Sequence, residues 1–454
     1  MSLRTLDLRG TPPPYEAVLP RPSDPGSDVH DVVAEILRHV RSEGDEALVR
    51  YTAEFDRVDV SDGLRVTEAE IEQACADADP ALRRALEVAF GRILDYHAHE
   101  GVPPEDLIDG GITVAHLRRP VARAGIYAPG GRARYPSTVL MCAAPARVAG
   151  VGSIALCVPP AADGKVDIAT LCAASVAGVD DVYRIGGAQA IAAMAYGTAS
   201  VPAVDIIAGP GNAYVAEAKR QLSGVVGVAS AFAGPSEIVV LAGPDAPPSF
   251  AAIDLVVQAE HGPDGLAWLV TWDAELAEKI SAEVDRLVAA SSRQADLEAT
   301  LASAGIVCLV DGPEEALAVA NVIAPEHLQL MVAEEQGLAL LELVQNAGAV
   351  FIGDWSPASM GDYIAGPNHV LPTNRTARFS SALRADDFRK HVHAVRVTPD
   401  ALRTLGPLVV TLAETEGLPA HAHSVRLRLD ALDAPDAHGR SESDRPAGSE
   451  GDMP

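Results

Sequence analysis

Aromatic residues make up only 4% of this 454-residue chain, too few for the stacking platforms that hold single-stranded nucleic acids. Basic residues are also scarce. Thirty-five Lys and Arg stand against 63 Asp and Glu, giving a formal charge of −28. That field repels phosphate backbones and argues against nucleic acid as the main partner, while leaving room for a small, locally positive dinucleotide site. The five cysteines (Cys75, Cys142, Cys157, Cys172 and Cys308) are odd in number, scattered and without a CxxC pair. Cys157 and Cys308 lie in apolar runs, SIALCVPP and GIVCLV, so they read as small core residues in a reducing compartment. No uninterrupted apolar run reaches about 18 residues, so no membrane span is expected. The opening MSLRTLDLRGTPPP lacks the basic and apolar regions of a secretory signal. A soluble cytoplasmic protein is the expectation, with neither membrane nor nucleic acid as partner.

Apolar material is plentiful, at 48% of residues, enough for two or three domains. Residues 1–22 read as a polar, proline-rich arm. Between Ser27 and His99 the pattern is helical, with Val33, Ile36, Leu37 and Val40 at helix spacing and a Thr67–Glu70 capping box. From Ala122 to Ala242 short β-branched runs (AGIYAPGG, SIALCVPP, DDVYRIGG, AVDIIAGPG, SEIVVLA) alternate with alanine-rich helical stretches. That rhythm predicts a parallel, Rossmann-like sheet covered on both faces. A second α/β stretch over 247–353 carries AWLVTW, GIVCLV, LQLMV and AVFIG. The loop GDWSPASMGDYIAGPNHVLPT (353–373) has neither helix nor strand period, and loops of that length inside compact domains tend to be functional. A helical segment runs to about Leu432, and the low-complexity remainder is expected to be disordered.

The chemistry-bearing residues cluster in a few places. In DIIAGPGNAYVAEAKRQL a strand meets Gly209-Pro210-Gly211 and then a helix, a place where backbone N–H groups favour anions. The spacing is not G-x-G-x-x-G, so plain turns of an α/β sheet explain it as well as a dinucleotide does. Gln258 and His261 in DLVVQAEHGPDG are three apart and share a helix face. Asp362 and His369 lie in the long loop, and Glu416, His421 and His423 in LAETEGLPAHAHSVRL. Imidazole, carboxylate and amide oxygen can bind zinc, although nothing in the spacing shows that these groups converge. In IAPEHLQL, Glu326 and His327 are adjacent after Pro325. Pro325 suits the first position of a helix. The dipole of that first turn would keep His327 neutral, an argument that fails if the segment is extended.

Nine stretches resemble the histidinol dehydrogenase family in its own order: GIYAPGGRARYPSTVLM, YRIGGAQAIAAMAYGT, VDIIAGPGNAYVAEAKR, AGPSEIVVLA, DLVVQAEHGPDG, APEHLQL, NAGAVFIGDWSP, GDYIAGPNHVLPT and GLPAHAHSVRL. They span about residues 122–430. The resemblance implies two Rossmann-like α/β/α domains in an intertwined dimer. The first domain is 23–123 with 240–378, carrying zinc, substrate and the Glu-His pair. The NAD domain is 124–239, and a segment at 379–432 reaches the partner subunit. It implies zinc ligands Gln258, His261, Asp362 and His421, a catalytic pair Glu326 and His327, and further substrate contacts from Ser236, His369 and Glu416. Contacts to NAD are implied for Tyr127, Gln189 and Asn212. His421 and Glu416 would come from the other subunit of a homodimer. His423 stands where a basic or polar residue is more usual and is an alternative zinc ligand.

The implied activity is the zinc-dependent oxidation of L-histidinol to L-histidine through a bound aldehyde, with two NAD⁺ reduced. His327 would be the base for the alcohol step, and Glu326 would activate water for the aldehyde step. A zinc hydrolase, a paralogous dehydrogenase of another small alcohol, and a non-catalytic NAD- or metal-binding module are the alternatives.

Overall fold

The computed structural model describes residues 3–20, 29–100, 105–130, 134–229, 236–260 and 265–434. The chain divides into two compact units, one of Met1–Gly101 with Pro120–Lys390 and one of Val102–Arg119 with His391–Pro454.

The first unit holds two parallel sheets. The five-stranded sheet runs, edge to edge, Asp181–Tyr183, Ser153–Cys157, Arg123–Tyr127, Ile206–Ala208 and Gly227–Val228. The six-stranded sheet runs Arg4–Asp7, Gly305–Leu309, Leu266–Thr271, Glu237–Ala242, His327–Met331 and Ala349–Ile352. Its central strand, EIVVLA, is buried at every residue, as a sheet covered on both faces requires. The mixed α/β class with parallel sheets is therefore as expected. The four cysteines in apolar surroundings are buried and unbridged, and burial pushes the Cys142 and Cys157 thiols up to about 12.

Four features differ from the sequence reading. The N-terminal arm contributes an edge strand, because Arg4–Asp7 pairs with Ile306–Leu309. Residues 23–123 were grouped with 240–378, yet the helices His30–Glu43 and Asp45–Tyr51 bury Val33, Ile36, Leu37 and Leu48 in one core with Tyr127, Ile185 and Ile207. Likewise Leu86 and Ile93 of the helix Pro80–Ala98 share a core with Ile126, Leu140 and Ile154. Helical periodicity shows that a face is buried and not which sheet receives it. The 353–373 loop contains a short helix, Ala358–Tyr363. The fourth difference is at Pro325. The helix Pro313–Ile323 ends with Ala324 in the left-handed region (φ 52°), and His327 then opens a strand.

The second unit is a three-stranded sheet, in the order Arg389–Val397, Ile112–Pro120, Leu107–Asp109, and a helical hairpin, Pro399–Thr415 with Pro419–Asp433. Residues 435–454 lie outside the described part.

The turn after Ile206–Ala208 shows why its glycine is needed. Gly209 has φ +105°, and a Cβ there would sit 2.1 Å from the Tyr127 carbonyl oxygen. Asn212 caps the following helix, accepting from the Val215 N–H at 3.1 Å. From that helix the fully buried Lys219 ammonium donates to the Gly209 carbonyl. Burial depresses Lys219 to about 8, so between pH 8 and 10.5 the unfolded chain holds a proton that the folded one has lost. Stability therefore rises with pH across that window, by about 3 kcal/mol. Lys219→Met should remove this rise when the two proteins are compared by denaturant unfolding at pH 8 and pH 10.5.

Candidate active site

Two chain segments meet at the amino ends of neighbouring strands in the six-stranded sheet. Glu237 is the first residue of its strand and His327 of the next, with His327 registered against Ile238 on one side and Ala349 on the other. Glu326 precedes the strand and is not bound by its alternation, so its carboxylate turns toward the same interior as the imidazole. Glu326 Oε2 lies 3.5 Å from His327 Nδ1. Both side chains are almost completely buried. The close passage of the next strand is allowed by Gly348, where a Cβ would meet the Glu326 carbonyl oxygen at 2.6 Å.

Two further elements bring polar groups to this pair. Gln258, at the end of the helix Pro248–Ala259, places Nε2 3.3 Å from His327 Nδ1 and 3.5 Å from Glu326 Oε2. Its Oε1 is buried with no hydrogen-bond partner among the described residues. Asp362, in the short helix, lies 3.2 Å from His327 Nε2. Burial works against a charged His327, but the carboxylates of Glu326 and Asp362 outweigh it and hold its pKa well above the usual histidine value. The sequence reading kept this ring neutral by a helix dipole. The segment is a strand, so that argument fails, and the carboxylates act in the opposite direction.

His369 joins the group from the loop. Its Nδ1 faces the Asp362 carbonyl oxygen at 2.7 Å and its Nε2 faces Thr138 Oγ1 at 3.4 Å. Burial lowers its pKa against the pull of Asp362. The loop is fastened by residues that sequence reasoning missed. Asn368 donates to the Met141 carbonyl at 2.6 Å and lies 3.2 Å from Nε2 of the buried His97. Ser236 directly precedes Glu237, and its carbonyl accepts from the Leu266 N–H at 3.0 Å.

The expected dinucleotide contacts lie at the carboxyl ends of the five-stranded sheet, where open α/β sheets bind ligands. Tyr127 ends its strand, and its hydroxyl accepts from the Gly187 N–H at 3.1 Å. Gln189 is buried in the helix Gly187–Tyr196, and among the described residues neither its amide oxygen nor its nitrogen has a partner. Asn212 caps the helix after Gly209.

A family model described as histidinol dehydrogenase matches residues 19–429. The chain belongs to the histidinol dehydrogenase family. It is 46% identical over 420 residues to the histidinol dehydrogenase of Ruegeria pomeroyi, covering 92% of this chain and 96% of that one. Against that of Geobacter sulfurreducens it is 44% identical over 432 residues, covering 94% and 100%. The crystal structure of histidinol dehydrogenase from Elizabethkingia anophelis superimposes with a TM-score of 0.90 at 34% identity, covering 95% of this chain and 99% of that one.

Of the zinc ligands expected for a histidinol dehydrogenase, Gln258 and Asp362 both face His327. The unpartnered Gln258 Oε1 and the Asp362 carboxylate are oxygen donors suited to a divalent cation. His261 lies outside the described residues. Among those described, no group of three or more His, Cys, Asp or Glu could by itself hold a metal ion. His421 and Glu416 belong to the second unit, on its helical hairpin, and are exposed there, as is His423.

The charges around His327 give a direct expectation. In chelator-treated protein at pH 7 the ring should remain an imidazolium, seen in its ¹⁵N shifts, and Asp362→Asn should lower its pKa. This ion pair contributes fully to stability below the ordinary histidine value and is lost as pH rises through the raised one. A neutral His327 at pH 7 in the metal-free protein would contradict the assignment.

Proposed function

We propose that this chain catalyses the zinc-dependent, NAD-linked, four-electron oxidation of L-histidinol to L-histidine through bound L-histidinaldehyde, the last step of histidine biosynthesis. One observation carries the reading. Within a family named for this reaction, the adjacent Glu326 and His327 share a buried space with Gln258 and Asp362, whose donor atoms suit a cation. No described helix is long and apolar enough to cross a membrane, which is consistent with a cytoplasmic enzyme.

Gln258, His261, Asp362 and His421 would hold the zinc. Bound there, the ion would supply a Lewis-acidic centre for the substrate's nitrogens and a charge that competes with His327 for Asp362. Ser236, His369 and Glu416 would complete the pocket and fix the alcohol carbon, the orientation term of catalysis. In the first oxidation His327 takes the hydroxyl proton as hydride passes to the nicotinamide. The aldehyde then has to be hydrated before a second hydride can leave. Glu326 takes a proton from the attacking water while the protonated His327 returns its proton to the carbonyl oxygen. The neutral His327 then takes the proton of the hydrate hydroxyl as the second NAD⁺ is reduced. Tyr127, Gln189 and Asn212 would bind each NAD⁺ in turn. Gln189 fits this role, since its buried amide has both a donor and an acceptor to offer.

Glu416 and His421, exposed on the second unit, would complete the site of a partner subunit in a homodimer. Leu107, Ile108, Val395, Leu408 and Leu412 of the same unit are all at least 60% exposed, an apolar load expected of an interface.

Two NADH should form per L-histidinol consumed, and a chelator should abolish turnover. Substrate hydrolysis without NADH would sink the reading. Glu326→Gln should slow aldehyde oxidation about 100-fold or more and alcohol oxidation much less. His327→Gln should slow both by a similar factor. Equal loss of the two steps in Glu326→Gln would reassign its role.

A further inference from the structure

Glu237 is 3% exposed, and all four of its polar groups are engaged around the reactive pair. Its backbone N–H donates to Glu326 Oε2 at 2.9 Å. Its backbone carbonyl lies 3.1 Å from His327 Nδ1. Of its carboxylate oxygens, Oε2 accepts the Glu326 N–H at 3.3 Å and Oε1 accepts the Asn374 N–H at 3.0 Å. Glu237 and Glu326 therefore exchange backbone amides, each carboxylate receiving the N–H of the other residue. In a parallel sheet the first residues of neighbouring strands often leave such groups to solvent. Here both are closed off by side chains.

Two consequences follow. Glu326 is held at both ends, its N–H by the Glu237 carboxylate and its own carboxylate by the Glu237 N–H. One of its oxygens, Oε2, is thereby fixed by the Glu237 N–H. A carbonyl facing His327 Nδ1 favours a proton on that nitrogen, which leaves Nε2 as the basic atom. A hydrogen bond to one ring nitrogen fixes the tautomer of catalytic and metal-binding histidines in this way. The Asn374 contact extends the arrangement. Asn374 and Arg375 are both left-handed, with φ 52° and 63°, a conformation that costs energy for arginine in particular. Glu237 Oε1 secures the first of them, five residues beyond His369.

We propose that Glu237 is the positioning residue of the Glu326–His327 pair, fixing the direction of the Glu326 carboxylate and the tautomer of His327 without touching substrate. This rests on the reading of Glu326 and His327 as the catalytic pair.

The test is a double-mutant cycle on zinc-loaded protein, assaying NAD⁺ reduction separately with L-histidinol and with L-histidinaldehyde. Glu237→Gln keeps the length and one acceptor, and Glu237→Asp keeps the carboxyl group but shortens the reach. Each should lower kcat for aldehyde oxidation about ten-fold or more, with KM for histidinol and zinc content within two-fold of the parent. In a Glu326→Gln background, Glu237→Gln should add almost nothing. Glu237→Ala, which keeps neither acceptor, should lose more than Glu237→Gln. Additive losses in the cycle, or a loss expressed in KM or zinc content, would overturn the proposal and make Glu237 a structural residue only. If both Glu237→Gln and Glu237→Asp fail to fold by near-ultraviolet circular dichroism, it is likewise overturned. If Glu326→Gln alone leaves aldehyde oxidation intact, the reading of the catalytic pair has failed and the positioning role goes with it. That outcome is distinct from an impaired Glu326→Gln beside an unimpaired Glu237→Gln.

Discussion

Two carboxylates flank one imidazole in a space almost without solvent, a third carboxyl group lies beside them, and the rest of the site is arranged around that imbalance. Glu237, Glu326 and Asp362 bring acid, and His327 is the one base that touches all three residues. Ionised carboxylates at such burial are costly unless each is hydrogen-bonded or paired. Two answers are visible. Burial first, and then the Glu326 charge, push Glu237 up to about 8, so that at neutral pH it is mostly protonated and its charge is removed. The imidazole is driven toward its cationic form. A divalent cation at Gln258 and Asp362 would be a third answer, relieving His327 of one carboxylate and freeing it to act as a base. The acid excess would thus be a reason for a metal as well as a consequence of the chemistry.

The scaffold places this cluster at an unusual edge. Parallel sheets generally bind ligands at the carboxyl ends of their strands, the edge at which the five-stranded sheet carries Tyr127, Gly209 and Asn212. The Glu-His pair is at the amino edge of the other sheet. Strand starts are suited to such a pair, because the residue before the ladder is free to turn its side chain inward while the first ladder residue is fixed by its neighbours. The connection between the two sheets is short. The helix Pro136–Ala149 starts after the Tyr127 strand, and its Thr138 and Met141 meet His369 and Asn368.

Much of this was legible in the sequence, and the parts that were not have definite physical causes. Uniformly apolar runs announced buried parallel strands, and Thr67 with Glu70 made the capping box that the structure contains. The pair at 326–327 stood out by composition, and Gln258, Asp362 and His369 were marked before their meeting could be seen. The helix expected at Pro325 was an error of context. Proline at a helix start and proline just before a strand look alike locally, and only pairing to Ile238 and Ala349 decides between them. The N-terminal strand was missed because four residues, three of them polar, carry too little period. Residues 23–123 were placed with the wrong sheet because a buried helix face does not name its partner.

Glu237 was the more instructive omission. SEIVVLA reads as a strand for its five apolar residues, and the glutamate at its head looks like no more than a strand boundary. A charged residue opening a strand that is otherwise buried throughout is expensive unless something receives it, and that expense was itself a signal. The residue that receives it, Glu326, lies 89 positions away in sequence. No local pattern could pair them, since each carboxylate is satisfied by an amide of the other strand. The adjacency of Glu326 and His327 attracted attention, but adjacency in a strand ordinarily sends two side chains to opposite faces. They lie side by side because the ladder begins between them, with Glu237 holding Glu326 on the near side of that boundary.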